Sequence, residues 1–140
     1  MELKILRHSV SHVLAQALKN IYPNIKLAIG PSTNDGFYYD IDMETKLTTE
    51  DFPSIEKEMR KIIEKNYNIE KLHLSRKEAL DYMKDQPYKL EIINDIPEGE
   101  DITFYKQGDY MEMCRGPHVE STGKINPKAI KLLSVAGAYW

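Results

Sequence analysis

The sequence predicts an α+β fold in which an antiparallel sheet packs with helices. Three observations carry that reading. Segments with helical apolar spacing share the chain with segments rich in aromatic and β-branched residues. Short turn signals join neighbouring strand candidates as hairpins. The regular strand–helix–strand alternation of a parallel sheet does not occur.

The first helix is predicted over Met1 to Asn20. Leu6, Val10, Val13, Leu14, Ala17, Leu18 and Ile21 recur at helical spacing, and Pro23 stops the run. Two short strands follow, Ala28 to Pro31 and Gly36 to Ile41, with Gly, Pro, Asn and Asp marking the breaks. A second helix runs from about Phe52 to Asn66, with Phe52, Ile55, Met59, Ile62 and Ile63 as its apolar stripe. Ile69 to Leu74 reads as a strand. Ser75-Arg76-Lys77-Glu78 has the form of a capping box and opens a third helix. Tyr88 to Ile93 reads as a strand. Ile102 to Lys106 and Tyr110 to Cys114 flank Gln107-Gly108-Asp109, which predicts a hairpin. Asn126 before Pro127 signals a helix start. Ser134 to Trp140 reads as a strand. Its abrupt apolar end suggests a chain cut from something longer.

A length of 140 residues suits one domain with a modest core. No apolar run approaches the ~20 residues that span a bilayer, and no signal-peptide pattern opens the chain. A single cysteine excludes an internal disulfide, so the chain reads as cytoplasmic. The net charge is −3. A domain that grips nucleic acid by its phosphates carries a basic surplus instead. If this chain meets a nucleic acid, it touches a short end of it.

The chemistry is concentrated in four histidines and the cysteine. His8-x-x-x-His12 and Cys114-x-x-x-His118 share one spacing. Residues four apart on a helix lie on one face. On the first helix, His8 and His12 fall opposite the apolar stripe, beside Gln16 and Lys19, so a core position is disfavoured. A solvated pair and half of a site both fit that placement. On this reading His8→Ala and His12→Ala leave the fold intact. In the last hairpin strand, Tyr110, Glu112 and Cys114 point one way, and Met111 and Met113 point into the core. Arg115-Gly116-Pro117 then turns His118 back. Cys114 is either an inert buried thiol or a partner of His118. Three histidines and a cysteine suit a zinc site, although zinc-finger spacing and H-E-x-x-H are both lacking. His73 reads as structural or exposed, and Ser11 as a filler of the polar face rather than a nucleophile. No phosphate loop and no G-x-S-x-G elbow occur, so nothing here binds ATP. By its own pattern Lys89 reads either as a solvated strand residue or as a site residue.

The segment from Arg7 to Ala17, Arg-His-Ser-Val-Ser-His-Val-Leu-Ala-Gln-Ala, resembles the opening of the second additional domain shared by threonyl- and alanyl-tRNA synthetases. Cys114-Arg115-Gly116-Pro117-His118-Val119 resembles its closing motif. Ile29-Gly30-Pro31 with Gly36-Phe37-Tyr38-Tyr39-Asp40 is similar to the threonyl branch, as is Arg-Gly-Pro where the alanyl branch has Gly-Gly-Thr. The resemblance covers about Ile5 to Trp140. It implies an editing domain that hydrolyses the ester of serine mistakenly attached to threonine tRNA. The partners it implies are the serine-bearing acceptor end of that tRNA and the remaining synthetase domains, with no membrane.

The resemblance also implies site roles. His8, His12, Cys114 and His118 line the pocket. Lys89 lies in a segment similar to the one that carries the family's catalytic lysine. Glu112 stands where the threonyl family often has aspartate, one methylene shorter. Tyr38 or Tyr39 walls the ribose or adenine, with core packing the bland role for one of them. Arg115 contacts substrate. In the alanyl branch the four His/Cys positions look like zinc ligands, whereas the threonyl pocket is thought to work through side chains and water. The preferred expectation is therefore a mechanism that requires no cofactor, with zinc as the alternative. Two other readings stand beside it: a free-standing deacylase acting in trans, and a zinc-stabilised docking module that is not an enzyme.

Overall fold

The computed structural model describes residues 3–30, 33–34, 36–44 and 46–132. The strand expected over Ser134 to Trp140 lies outside them. In chain order the elements are α1 (Leu3–Ile21), β1 (Lys26–Leu27), β2 (Ile41–Asp42), α2 (Phe52–Glu64), β3 (Ile69–Leu74), α3 (Arg76–Tyr82), α4 (Pro87–Asp95), β4 (Ile102–Gln107) and β5 (Tyr110–Met113). Single 3₁₀ turns occupy Thr49–Asp51, Thr122–Lys124 and Pro127–Ala129. The arrangement is α+β, with two antiparallel sheets ordered β1-β2 and β3-β4-β5.

Each face of the larger sheet packs against its own core. Ile102 and Phe104 of β4 pack with Ala79, Met83 and Ile93 from the α3–α4 side, joined by Met111 and Met113 of β5. The other face meets α1 and α2. Val13, Ala17 and Leu18 pack there with Ile55, Met59 and Ile62, and Tyr110 lies against them. Helix α1 is thus enclosed: every residue from Ser9 to Leu18 is buried. Its apolar stripe faces α2, while its polar stripe faces polar side chains of the sheet. The core position that the wheel disfavours is therefore the one His12 takes. His12 is only 4% exposed, because the sheet covers the face that the wheel left to solvent.

A second correction concerns Tyr88 to Ile93, expected as a strand. Tyr88, Leu90 and Ile92 do alternate, but the segment is the middle of α4. Pro87 occupies the first turn, where its missing N–H costs nothing. Lys89 and Ile93, one turn apart, are the buried residues of this helix. The first two strands also sit further from their turn than expected, at Lys26–Leu27 and Ile41–Asp42. Backbone bonds carry the pairing on to Ile29 and Asp40. Asn126 caps a single 3₁₀ turn rather than a helix, accepting from the Lys128 N–H. The capping box at Ser75 forms as expected. Glu78 N–H donates to Ser75 Oγ at 3.1 Å, and Ser75 N–H to Glu78 Oε1 at 3.0 Å.

Candidate functional site

The closing turn decides where His118 goes. After β5 the chain stays on the sheet for one more residue, with Cys114 N–H bonded to Thr103 O at 3.1 Å. It then bends at Gly116, whose φ is +75° and whose bond to Pro117 is cis. A Cβ at Gly116 would overlap the Tyr105 hydroxyl, so glycine is required on two counts. The turn brings His118 against α1.

Three imidazoles and one thiol meet there. Ring centroids lie 4.9 Å apart for His8–His12, 4.5 Å for His8–His118 and 4.1 Å for His12–His118. Cys114 Sγ is 3.3 Å from His8 Nε2 and 3.0 Å from His118 Nε2. The Gly116 N–H donates to the same sulfur at 3.2 Å. Tyr105 closes one side, its ring centroid 4.4 Å from that of His118.

Behind His12 lies a buried polar network. His12 Nε2 approaches Glu112 Oε2 to 3.2 Å, without the alignment of a hydrogen bond. The other oxygen of Glu112 faces Lys89 Nζ at 3.3 Å and accepts the Tyr39 hydroxyl proton. Lys89 Nζ is also 3.4 Å from the Tyr39 hydroxyl. Gly30 makes room for this: a Cβ there would overlap the Tyr39 ring. On the other side, Gln107 Nε2 donates to Gln16 Oε1 at 2.8 Å and reaches His12 O at 3.4 Å. Gln16, Lys89 and Glu112 also line a cleft of about 490 Å³ with Tyr67, Tyr82 and Tyr110.

Burial dominates the electrostatics. It lowers His118 to about 3 and pushes His12 well below the usual imidazole range, and neighbouring imidazoles add to both shifts. His8 is lowered by burial and by Lys4. The three rings are therefore neutral at physiological pH, each able to accept a proton. Burial also lifts the Cys114 thiol to about 12 and raises Glu112 well above the usual carboxyl range, while it brings Lys89 down to about 8.

Seven of the expected site residues thus lie together: His8, His12, Cys114, His118, Glu112, Lys89 and Tyr39. Two do not join them. The Arg115 side chain is 92% exposed and sits 3.7 Å from Glu100. Tyr38 is exposed, whereas Tyr39 beside it turns inward. His73 lies at the surface near Asp101. Ser11 is fully buried, and its Oγ donates to His8 O at 2.6 Å. Ser9, Tyr105 and Gln107 were not singled out by sequence reasoning. The signal for the last two was strand parity, since they share the face of Thr103, which bonds the Cys114 carbonyl.

The four donors fit a metal by type. One donor atom from each of His8, His12, Cys114 and His118 lies within 4.8 Å of all the others, and an N₃S set suits zinc. A zinc ion held there would supply Lewis-acid polarisation of a carbonyl or a water.

A family model for the threonyl and alanyl tRNA synthetase second additional domain matches residues 102–138. The chain belongs to that family. Within it, the similarity runs to threonine–tRNA ligases. The chain is 58% identical over 139 residues to the threonine–tRNA ligase of Caldanaerobacter subterraneus subsp. tengcongensis, covering 98% of the chain and 21% of the relative. It is 57% identical over 136 residues to that of Acetivibrio thermocellus, covering 96% and 21%. It is 53% identical over 138 residues to that of Staphylococcus carnosus, covering 99% and 21%. The chain thus spans about a fifth of the length of these relatives. No helix among the described residues is long and apolar enough to cross a membrane.

Proposed function

We propose that this chain is the editing domain of a threonine–tRNA ligase and hydrolyses the ester of seryl-tRNA(Thr) in the cytoplasm. On this reading it forms one domain and works beside the other domains of the ligase, which supply most of the tRNA affinity. The observation that carries the reading is the meeting of three neutral imidazoles with the Lys89–Glu112–Tyr39 network. That is the equipment an ester hydrolase needs: a proton acceptor and a cation beside one another.

The logic of the reaction follows from substrate size. Serine lacks one methyl of threonine. A synthetic pocket rejects the smaller side chain by only about 1–3 kcal/mol. A second site that admits serine and clashes with the methyl corrects the remainder. Here a neutral imidazole of the cluster takes a proton from water as its oxygen attacks the ester carbonyl. The ammonium of Lys89 stabilises the oxyanion. The ribose oxygen then leaves with a proton, giving free serine and an uncharged tRNA end. Tyr39 and Glu112 hold Lys89 in place. His8, His12, Cys114 and His118 need no metal in this scheme.

The test is deacylation of seryl-tRNA and threonyl-tRNA, both on threonine tRNA, by the purified chain and by a full-length ligase carrying it. Loss of serine with threonine retained is expected. No hydrolysis of either by both proteins would overturn the hydrolytic reading and favour a docking module. Unfolding on chelation would then identify that module as zinc-stabilised.

A further inference from the structure

Ser9 has no exposed surface, and its hydroxyl has three polar neighbours. Oγ donates to the Ile5 carbonyl at 2.8 Å. It accepts from the Val119 N–H at 3.0 Å. It lies 3.3 Å from His118 Nδ1. A hydroxyl has one proton and two lone pairs. The short bond to Ile5 takes the proton, and the Val119 amide takes one lone pair. What faces His118 is the second lone pair, and a lone pair is matched only by a nitrogen that carries hydrogen.

We infer that Ser9 is a positioning residue that holds His118 as its Nδ1–H tautomer and so aims its Nε2 lone pair at the Cys114 thiol. The chain of bonds continues in one direction. Nε2 lies 3.0 Å from Cys114 Sγ and accepts the thiol proton. The sulfur then has only lone pairs left for the Gly116 N–H and for His8 Nε2 at 3.3 Å. His8 therefore carries its proton on Nε2 and leaves Nδ1 bare. One serine, anchored to the backbone of α1 and to the closing turn, sets the proton order through His118, Cys114 and His8.

The assignment of tautomers stands on this geometry alone. Its consequence for catalysis rests on the hydrolytic reading. In this form His118 presents an Nε2 lone pair, held at rest by the Cys114 thiol, that can take a proton from water or bind a metal, whereas in an Nε2–H ring that nitrogen has no lone pair to offer.

The experiment is a two-bond nitrogen–proton correlation spectrum of the metal-free chain, labelled with nitrogen-15 in histidine, at neutral pH. The wild type is expected to show His118 with protonated Nδ1 and unprotonated Nε2. In Ser9→Ala the ring is expected to shift toward the Nε2–H form. Seryl-tRNA deacylation in that variant should fall on the order of tenfold or more in kcat, as loss of an orienting partner does, with KM little changed. A wild-type His118 protonated on Nε2 overturns the inference without any variant. So does an unchanged tautomer in a folded Ser9→Ala. A wild type with the Nδ1–H form but no hydrolysis in chain or ligase upholds the tautomer assignment and removes the hydrolytic reading.

Discussion

Lys89 Nζ lies 3.3 Å from Glu112 Oε1, and the two side chains are 6% and 3% exposed. One comes from α4 and the other from β5, so the contact ties a helix to the strand that leads to Cys114. A buried charge of this kind is tolerated only with its partner.

The pH dependence of this contact has a defined sign. Unfolded, Lys89 titrates at its ordinary value of about 10.4; folded, burial holds it at about 8. Between these values the unfolded chain binds more protons, so this group makes stability rise with pH over that window. Below about 8 both states are protonated and the cost of burying the ammonium is constant. Urea unfolding of wild type and Lys89→Met from pH 7.5 to 10.5 is expected to show their stability difference growing in favour of the wild type as pH rises. A flat difference would mean that Lys89 is not desolvated. The rate prediction is opposite in sign. Deacylation, corrected for spontaneous ester hydrolysis, should decline as pH rises through about 8, because the ammonium is lost.

The two histidines of α1 part company. His8→Ala is expected to leave stability within about 1 kcal/mol, since its ring is only partly buried. His12→Ala should cost roughly 2–3 kcal/mol. It leaves a gap between Glu112 and the other two rings and strips Glu112 Oε2 of its nearest polar neighbour. Chemical denaturation of both variants checks this. Equal losses would mean that the enclosure of α1 is wrong.

Leu14→Ala is expected to destabilise by about 2–5 kcal/mol, as removal of a buried leucine side chain does. A neutral result in urea unfolding would place this face of α1 outside the core.

Gly116→Ala forces a side chain onto a φ of +75° and into Tyr105. A loss of roughly 1–3 kcal/mol is expected from the backbone conformation. The turn should also open, so Cys114 should react faster with a disulfide reagent. Unchanged thiol reactivity would mean that the turn does not hold the sulfur in place.

Much of the fold was legible because local rules agree with it. The stripe of α2, the capping box at Ser75 and the β4–β5 hairpin each follow from spacing within a few residues. The parity of β5 also held, with Met111 and Met113 in one core and Glu112 on the other face. The reading of Tyr88 to Ile93 failed because period-2 and period-3.6 patterns coincide over six residues. Pro87 was the signal that should have decided between them.

The amino-acid sequence by itself determined the α+β class, the spacing that pairs His8 with His12 and Cys114 with His118, and the resemblance that names their family. Tertiary structure alone decided that the polar stripe of α1 is buried, that Lys89 reaches Glu112, and that Tyr39 rather than Tyr38 turns inward. The reason is physical. A helical wheel separates polar from apolar, but only a packed neighbour decides whether a polar face meets water or another polar face. In this chain the sheet meets it, and burial then moves the three imidazoles, the Cys114 thiol, Glu112 and Lys89 away from their ordinary values.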